Sequence, residues 1–502
     1  MGMSAGPDRL PVIAGVAQHD RRPDDPLGQP DPCAMIASAL RAAAKDSGAG
    51  EPLLGRVQSL RVPRVLCWSY GDPGAQVAER LGLGPAETVS AHIGGDTPQL
   101  LVNDAAEAIA RGELDVAAIA GAEALHTVSL ARREGVELDW PGDDERQPTR
   151  TLGPDRPPTT PAEQSVGLFA PVSVYPLIEN ALRHRAGRTV EAHQRWLGEL
   201  WSRFSGAAGE NPHAWSRTVH SGSEIADASA QNRAVSFPYT KLMNANPLVD
   251  QAAALIVCSL QAAQEAGVPA ERCVFLHAGA EASDEWFLSQ RGELDASPAI
   301  RAAGRALLEA GGRDIDEVAH LDLYSCFPSA VQVAARELGL GSEPDRALTV
   351  TGGLAFAGGP GNNYVTHSIA RMVEILRQQP GALGLTTGVG WYMTKHALGL
   401  MSGEPPRDGY RRADLGEVRD RPPRSAVVGE PARGTAEACT LLFERDGSAS
   451  YGVATLLRDD GARALAKVSD PDSIALLIDE AFLGARARVD CPPGADAVLL
   501  AD

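Results

Sequence analysis

A chain of 502 residues, 44% hydrophobic and 22% charged, has enough apolar surface for two or three well-buried cores, which excludes disorder for any large part. Its 46 Lys and Arg against 65 Asp and Glu leave a net charge of −19, which opposes unspecific binding to nucleic acid or to an anionic membrane. No run approaches the roughly eighteen apolar residues that span a bilayer, and the amino terminus has no apolar leader. The cysteines at 33, 67, 258, 273, 326, 439 and 491 are odd in number and form no Cys-x-x-Cys pair, so neither a disulfide framework nor a metal site is expected. A cytoplasmic protein with no partner nucleic acid or membrane is the simplest expectation.

In chain order, residues 11–17 are a short apolar run suited to a buried strand, and 35–44 have the composition of a helix packed on it. A helix over 98–110 leads into the apolar run 116–120, the next strand. Such alternation argues for an α/β architecture. Residues 145–163 are too rich in proline for regular structure, and 175–204 read as helices of an inserted cap. A second half begins near 270, with strands at 274–279 and 320–324 and helices at 299–310 and 365–376. The last helix carries Ile369, Met372, Val373 and Leu376 on one face. After the turn-rich 403–409, runs 438–443, 450–457 and 464–468 are separated by Asp446-Gly447 and Asp460-Gly461, the signature of a β-meander.

Several glycine-rich segments stand at the ends of these elements. Ile93-Gly94-Gly95-Asp96-Thr97-Pro98 opens the 98–110 helix, and the free N–H groups of a helix start favour an oxyanion. Asp96 and Thr97 are natural caps there. Tyr324-Ser325-Cys326-Phe327 follows the 320–324 strand, Gly358-Gly359-Pro360-Gly361-Asn362-Asn363-Tyr364 precedes the 365–376 helix, and Thr386-Thr387-Gly388-Val389-Gly390 follows it. With the 237–246 segment Phe-Pro-Tyr-Thr-Lys-Leu-Met-Asn-Ala-Asn, these landmarks resemble, in order, the loops of the thiolase superfamily, nearest to its sterol-carrier type. The resemblance implies a five-layer αβαβα core of two similar halves. The first half is placed at 1–265, with a cap at about 127–220, and the second at 266–402; residues 410–502 are an added β-rich, OB-like domain. It also implies a coenzyme A thioester as substrate or ligand, with no tightly bound cofactor, and a possible homodimer or a partner protein bound through the added domain.

The catalytic side chains of that family are replaced. Gly95 stands where the nucleophilic cysteine belongs, Gly359 where the loop carries histidine, Thr386 where a second cysteine lies, and Tyr324 at another histidine. Gly94 and Gly95 then read as bare backbone with room for a ligand. The phenol of Tyr324 is a candidate proton carrier or a packed ring at a strand end. Cys326 is a candidate thiol, with a structural role favoured. Asn362 and Asn363 either hold a carbonyl oxygen in place of the imidazole or serve as left-handed turn residues. His367 falls off its helix's apolar stripe and is expected in a cleft or on the surface. His92, Gly388 and the pair Lys395-His396 complete the candidates, each with a plain structural alternative. The leading expectation is an atypical acyltransferase or related acyl-CoA enzyme without a cysteine nucleophile; the alternatives are a non-catalytic acyl-CoA-binding or scaffold protein and a CoA-linked aldolase.

Overall fold

The structure is a computed structural model that describes residues 7–142 and 144–501. The first half runs through β1 (Pro11–Arg21), α1 (Pro32–Asp46), β2 (Ser59–Arg61), α2 (Pro73–Leu81), β3 (Glu87–Ala91), α3 (Thr97–Ala110) and β4 (Val116–Ala124). A long excursion then holds β5 (Arg150–Leu152), α4 (Pro171–Arg185), α5 (Val190–Glu210), β6 (Ala234–Ser236) and β7 (Tyr239–Thr240), before β8 (Asp250–Ser259) returns to the sheet. The second half contains β9 (Val274–Ser283), α6 (Pro298–Gly311), β10 (Val318–Asp322), α7 (Pro328–Glu337), α8 (Tyr364–Gln378), β11 (Leu383–Gly390) and β12 (Lys395–Ser402).

Hydrogen bonds link the strands in the order β10-β11-β12-β9-β1-β8-β4-β2-β3-β5. Only Val12–Phe275 and Ile13–Val274 join β1 to β9, so the path is two sheets meeting at their edges. Helices α3 and α8 lie between the sheets and pack on both; α1 covers the outer face of the first sheet and α6 that of the second. Along β8 the alternation of side chains shows the layering. Leu255 and Val257 enter the central core, while Ala254 and Ile256 face α1. This is the expected αβαβα core.

The carboxy-terminal part comprises β13 (Arg411–Glu417), β14 (Ala426–Val428), β15 (Ala432–Phe443), β16 (Ala449–Leu457), β17 (Arg463–Val468), α9 (Pro471–Leu477), β18 (Arg486–Asp490) and β19 (Val498–Ala501). The meander β15-β16-β17 turns at Gly447 and Gly461, whose φ values of 89° and 84° are those a tight turn asks of glycine. Three placements differ from the sequence reading. Residues 145–163 contain β5, which pairs with β3 and covers its edge. Strand β13 pairs in parallel with β9, so 411–417, placed by the sequence in the added domain, hydrogen-bonds to the core sheet. The 237–246 segment does not simply close the first half: Ser236 pairs with Leu442, and Phe237 N–H donates to Leu441 O at 2.8 Å, so β6 and β7 extend the added sheet.

The added domain is consequently locked to the core. Arg463 is fully buried, makes a paired contact with Glu437 at 2.6 and 2.7 Å, and donates from Nη1 to the carbonyls of Ser289 and Arg291, both at 2.8 Å. Removing that guanidinium leaves a carboxylate and several carbonyls without partners. Arg463→Ala is expected to cost about 3–5 kcal/mol in denaturant unfolding. A loss under about 1 kcal/mol would show that the contact between domain and core carries little stability.

Candidate functional site

The site is built around the amino end of α3, where it leaves β3 and enters the space between the sheets. Gly94 N–H donates to Asn362 Oδ1 at 2.9 Å, and Asn362 Nδ2 donates to Arg64 O at 2.7 Å, so this side chain joins two loops. Asp96 does not cap the helix as its position suggested. Its carboxylate lies 3.4 Å from the buried Lys395 ammonium, which donates to Ile93 O at 2.9 Å. Thr97 Oγ1 closes the turn on Gly94 O at 2.8 Å.

Side chains added to these glycines would meet close neighbours. A β-carbon on Gly94 would sit 2.7 Å from Lys395 Nζ, one on Gly388 2.8 Å from Asp96 Cα, and one on Gly390 2.6 Å from Lys395 Cε. At Gly95 it would run into the Tyr324 hydroxyl, with the ring carbons Cζ at 2.5 Å and Cε2 at 2.7 Å. The expected room for a ligand beside Gly95 is therefore filled by Tyr324. That phenol is nearly buried, and burial, with smaller contributions from Cys326 and Asp96, holds its pKa well above the usual value. It stays protonated at neutral pH. Its ring meets Tyr364 edge to face at 5.7 Å, and its N–H donates to Thr387 Oγ1 at 2.8 Å.

The remaining candidates divide between this cluster and other places. Cys326 is buried beneath the cap beside Tyr175, and burial pushes its thiol up to about 12, which removes the thiolate at neutral pH. Gly359 N–H donates to Asn246 O at 2.9 Å, and a β-carbon there would meet nothing nearer than that oxygen at 3.3 Å. Asn363 has φ −93°, not a left-handed turn; its amide donates to Gly121 O at 2.7 Å and its Oδ1 accepts from Thr366 Oγ1 at 2.7 Å, tying α8 to β4. His367 is buried, contrary to the expected surface or cleft position. Its Nδ1 meets Gln18 Oε1 at 3.0 Å, and burial depresses its pKa to about 3, so the ring is neutral. Lys395 and His396 alternate across β12, and His396 faces the outer layer, 3.0 Å from Asp284 Oδ2. His92 is partly exposed, 3.6 Å from Asp155.

A buried polar line escaped the sequence reading. From Thr386 Oγ1 it runs to Gln99 Oε1 (2.7 Å), from Gln99 Nε2 to Asn103 Oδ1 (2.8 Å), and from Asn103 Nδ2 to Glu281 Oε1 (2.7 Å), ending on Arg412 at 3.0 Å. The signal was present as Gln99 and Asn103, four apart on a helix that also carries Asp104 and Glu107. Glu281 is raised to about 7: burial outweighs the attraction of Arg412. Among the described residues no group of three or more His, Cys, Asp or Glu side chains is arranged to hold a metal ion, and no helix is long and apolar enough to cross a membrane.

The fold and these altered loops define a protein of the thiolase superfamily, of the sterol-carrier type. Over 98% of its length the chain is 31% identical to a monomeric SCP2-thiolase like protein type 1 (STLP1) from Mycobacterium smegmatis, covering 99% of that chain with a TM-score of 0.81. It belongs to that family of SCP2-thiolase-like proteins type 1. Residues 415–492 match the additional C-terminal domain of thiolase-like protein type 1. The Ltp2-ChsH2(DUF35) aldolase shares the fold at 18% identity and a TM-score of 0.61, over 80% of this chain and 99% of that one. No curated protein matches.

Two outcomes test this geometry. If Gly95 serves Tyr324, Gly95→Ala costs about 1–3 kcal/mol in the wild-type background and close to nothing when combined with Tyr324→Ala. Additive losses in a double-mutant cycle of denaturant midpoints would separate the two residues. Glu281 holds its proton more tightly folded than unfolded, so between pH 4.5 and about 7 stability falls as pH rises, by at most about 3 kcal/mol, and levels off above. Denaturation at several pH values should show this fall in the wild type and not in Glu281→Gln.

Proposed function

We propose that this protein binds a coenzyme A thioester and carries out no covalent acyl transfer, with Tyr324 as the side chain facing the acyl group. The occupation of the space beside Gly95 by the Tyr324 ring carries this reading. An acyl-enzyme needs an activated nucleophile at the helix end, and position 95 has neither a side chain nor room for one. Cys326, the one thiol in these loops, is held as a buried thiol. These facts weigh against the acyltransferase first expected from the sequence and favour a binding or scaffold role.

A second reading has its own support. Among the described residues the Tyr324 hydroxyl has no hydrogen-bond partner, and its phenol is kept protonated. A phenol in that state suits the protonation of the enolate left when a carbon–carbon bond breaks next to a thioester, and one solved relative of the fold is an aldolase. The added domain has the strand order β17-β16-β15-β18-β19 with α9 between β17 and β18, and Ala497 N–H donates to Lys467 O at 2.9 Å, drawing β19 toward β17. This supports the OB-type reading of the added domain. The β5 strand over the edge of β3, together with a monomeric relative, favours a monomer over the homodimer. Seven free cysteines suit the reducing cytoplasm.

Calorimetry with acetyl-CoA and assays with acetoacetyl-CoA and a β-hydroxyacyl-CoA test both readings. Binding without thiolysis is expected. Tyr324→Phe should change the affinity by about 1 kcal/mol at most for a binding protein, whereas an aldolase should lose about a hundredfold in cleavage rate. Thiolysis at ordinary enzymatic rates, or no binding of the thioester at all, would overturn the proposal.

A further inference from the structure

The first half contains a second concave region whose position follows from the chain's path. Strands β2 and β3 are neighbours and parallel. The chain leaving β2 goes to α2 on the outer face of the sheet, and the chain leaving β3 goes to α3 in the central layer. Where adjacent parallel strands send their connections to opposite faces, the two loops part and leave a crevice at the carboxyl ends of the strands, the usual place for a ligand in open α/β sheets. Here that crevice has a volume of about 890 Å³ and is lined by residues 64–71 after β2 and 90–93 at the end of β3, with Gly142, Asp144, Gln147, Pro148 and Thr151 across from them. Tyr324, Cys326, Gly359 and Gly388 do not line it.

Its walls have a definite chemistry. Trp68 is fixed by its indole N–H to Pro141 O at 2.7 Å and by an edge contact with Trp140 at 5.1 Å. The Tyr70 hydroxyl donates to Asp31 Oδ1 at 3.0 Å. Two aromatic rings are therefore held in place before any ligand arrives, which lowers the cost of ordering them on binding. Among the described lining residues the carboxylate is that of Asp144, already bridged by Arg146 at 2.6 Å, and His92 lies beside Asp155. Arg64 is different. It is exposed, and among the described residues it has no ion pair, while its backbone carbonyl is held by Asn362. In a chain of net charge −19, a cation without an ion pair that lines the same crevice as two fixed aromatic rings marks a place where an anion is favoured.

We infer that this crevice binds a small organic anion with a planar apolar body, its charged end on Arg64 and its body against Trp68 and Tyr70. The inference does not depend on the chemistry at Tyr324. The probe is 2-naphthoate, with the neutral 2-naphthamide as its match in shape, both followed by titration calorimetry and tryptophan fluorescence on the full chain. Naphthoate is expected to bind at least about tenfold more tightly than the amide, and Arg64→Gln to remove that preference. Arg64→Lys should retain part of it, since a charge remains without the planar fork. Arg64 is a surface residue, so these variants should melt with the wild type. Equal affinity for acid and amide, unchanged naphthoate binding in Arg64→Gln, or no binding up to about 10 mM would each overturn the inference.

Discussion

The amino end of α3 is wedged between two sheets, and neighbouring atoms occupy the β-carbon positions of Gly94, Gly95, Gly388 and Gly390. Lys395, Asp96 and Tyr324 fill the space those side chains would need. The ammonium of Lys395 sits under the loop on Ile93 O and beside Asp96, so the pair is buried with partners rather than alone, the condition under which a buried charge is tolerated. Everything near the site depends on this close approach. A β-carbon at Gly388 would meet the Asp96 backbone at 2.8 Å, so a larger residue there would push the loop from β3 away from the second sheet, to which α3 is also joined by the line from Thr386 to Glu281.

Much of the fold was legible because its strands are continuous apolar runs separated by helices of matching length, which only a layered α/β arrangement buries. The site was legible as a location and not as a shape. Aligning the loops brought Gly95, Tyr324, Gly359 and Gly388 to one region, but whether glycine leaves a hole depends on what stands opposite, and that side chain comes from the other half of the chain. His367 was misplaced for a related reason. A single apolar stripe reads as one buried face, yet α8 lies in the central layer, where both sheets cover it and residues off the stripe are buried too. Strand β13 gave no apolar signal at all: it is largely exposed, and Arg412 holds it through Glu281 and Glu107.

The carboxy-terminal domain changes the mechanics of the whole chain. Its sheet takes in β6 and β7 from the excursion, and Asn180 on α4 donates to Cys439 O at 2.9 Å in β15. The cap over the second half of the site is thus clamped from behind. The same cap residue that stacks on Phe327, Tyr175, accepts from Met393 N–H at 3.2 Å and donates to Trp391 O at 2.9 Å. Trp391 and Met393 have φ of 55° and 56°, a costly conformation for bulky side chains that persists only where surroundings enforce it. The added domain, the cap and this β11–β12 turn therefore form one chain of contacts ending next to Cys326 and Tyr324.

That chain of contacts bears on whether covalent chemistry is one substitution away. A cysteine at 95 would collide with the Tyr324 ring, so the nucleophile could enter only after the phenol had left. Replacing Tyr324 by histidine would remove the phenol but supply no nucleophile, and a histidine at 359, whose β-carbon would press on Asn246 O at 3.3 Å, would still have no thiol to serve. Each single change toward the family's usual arrangement is either blocked or idle without the others. The centre is thus a packing solution in its own right: Tyr324 can lie where it does only because position 95 carries no side chain.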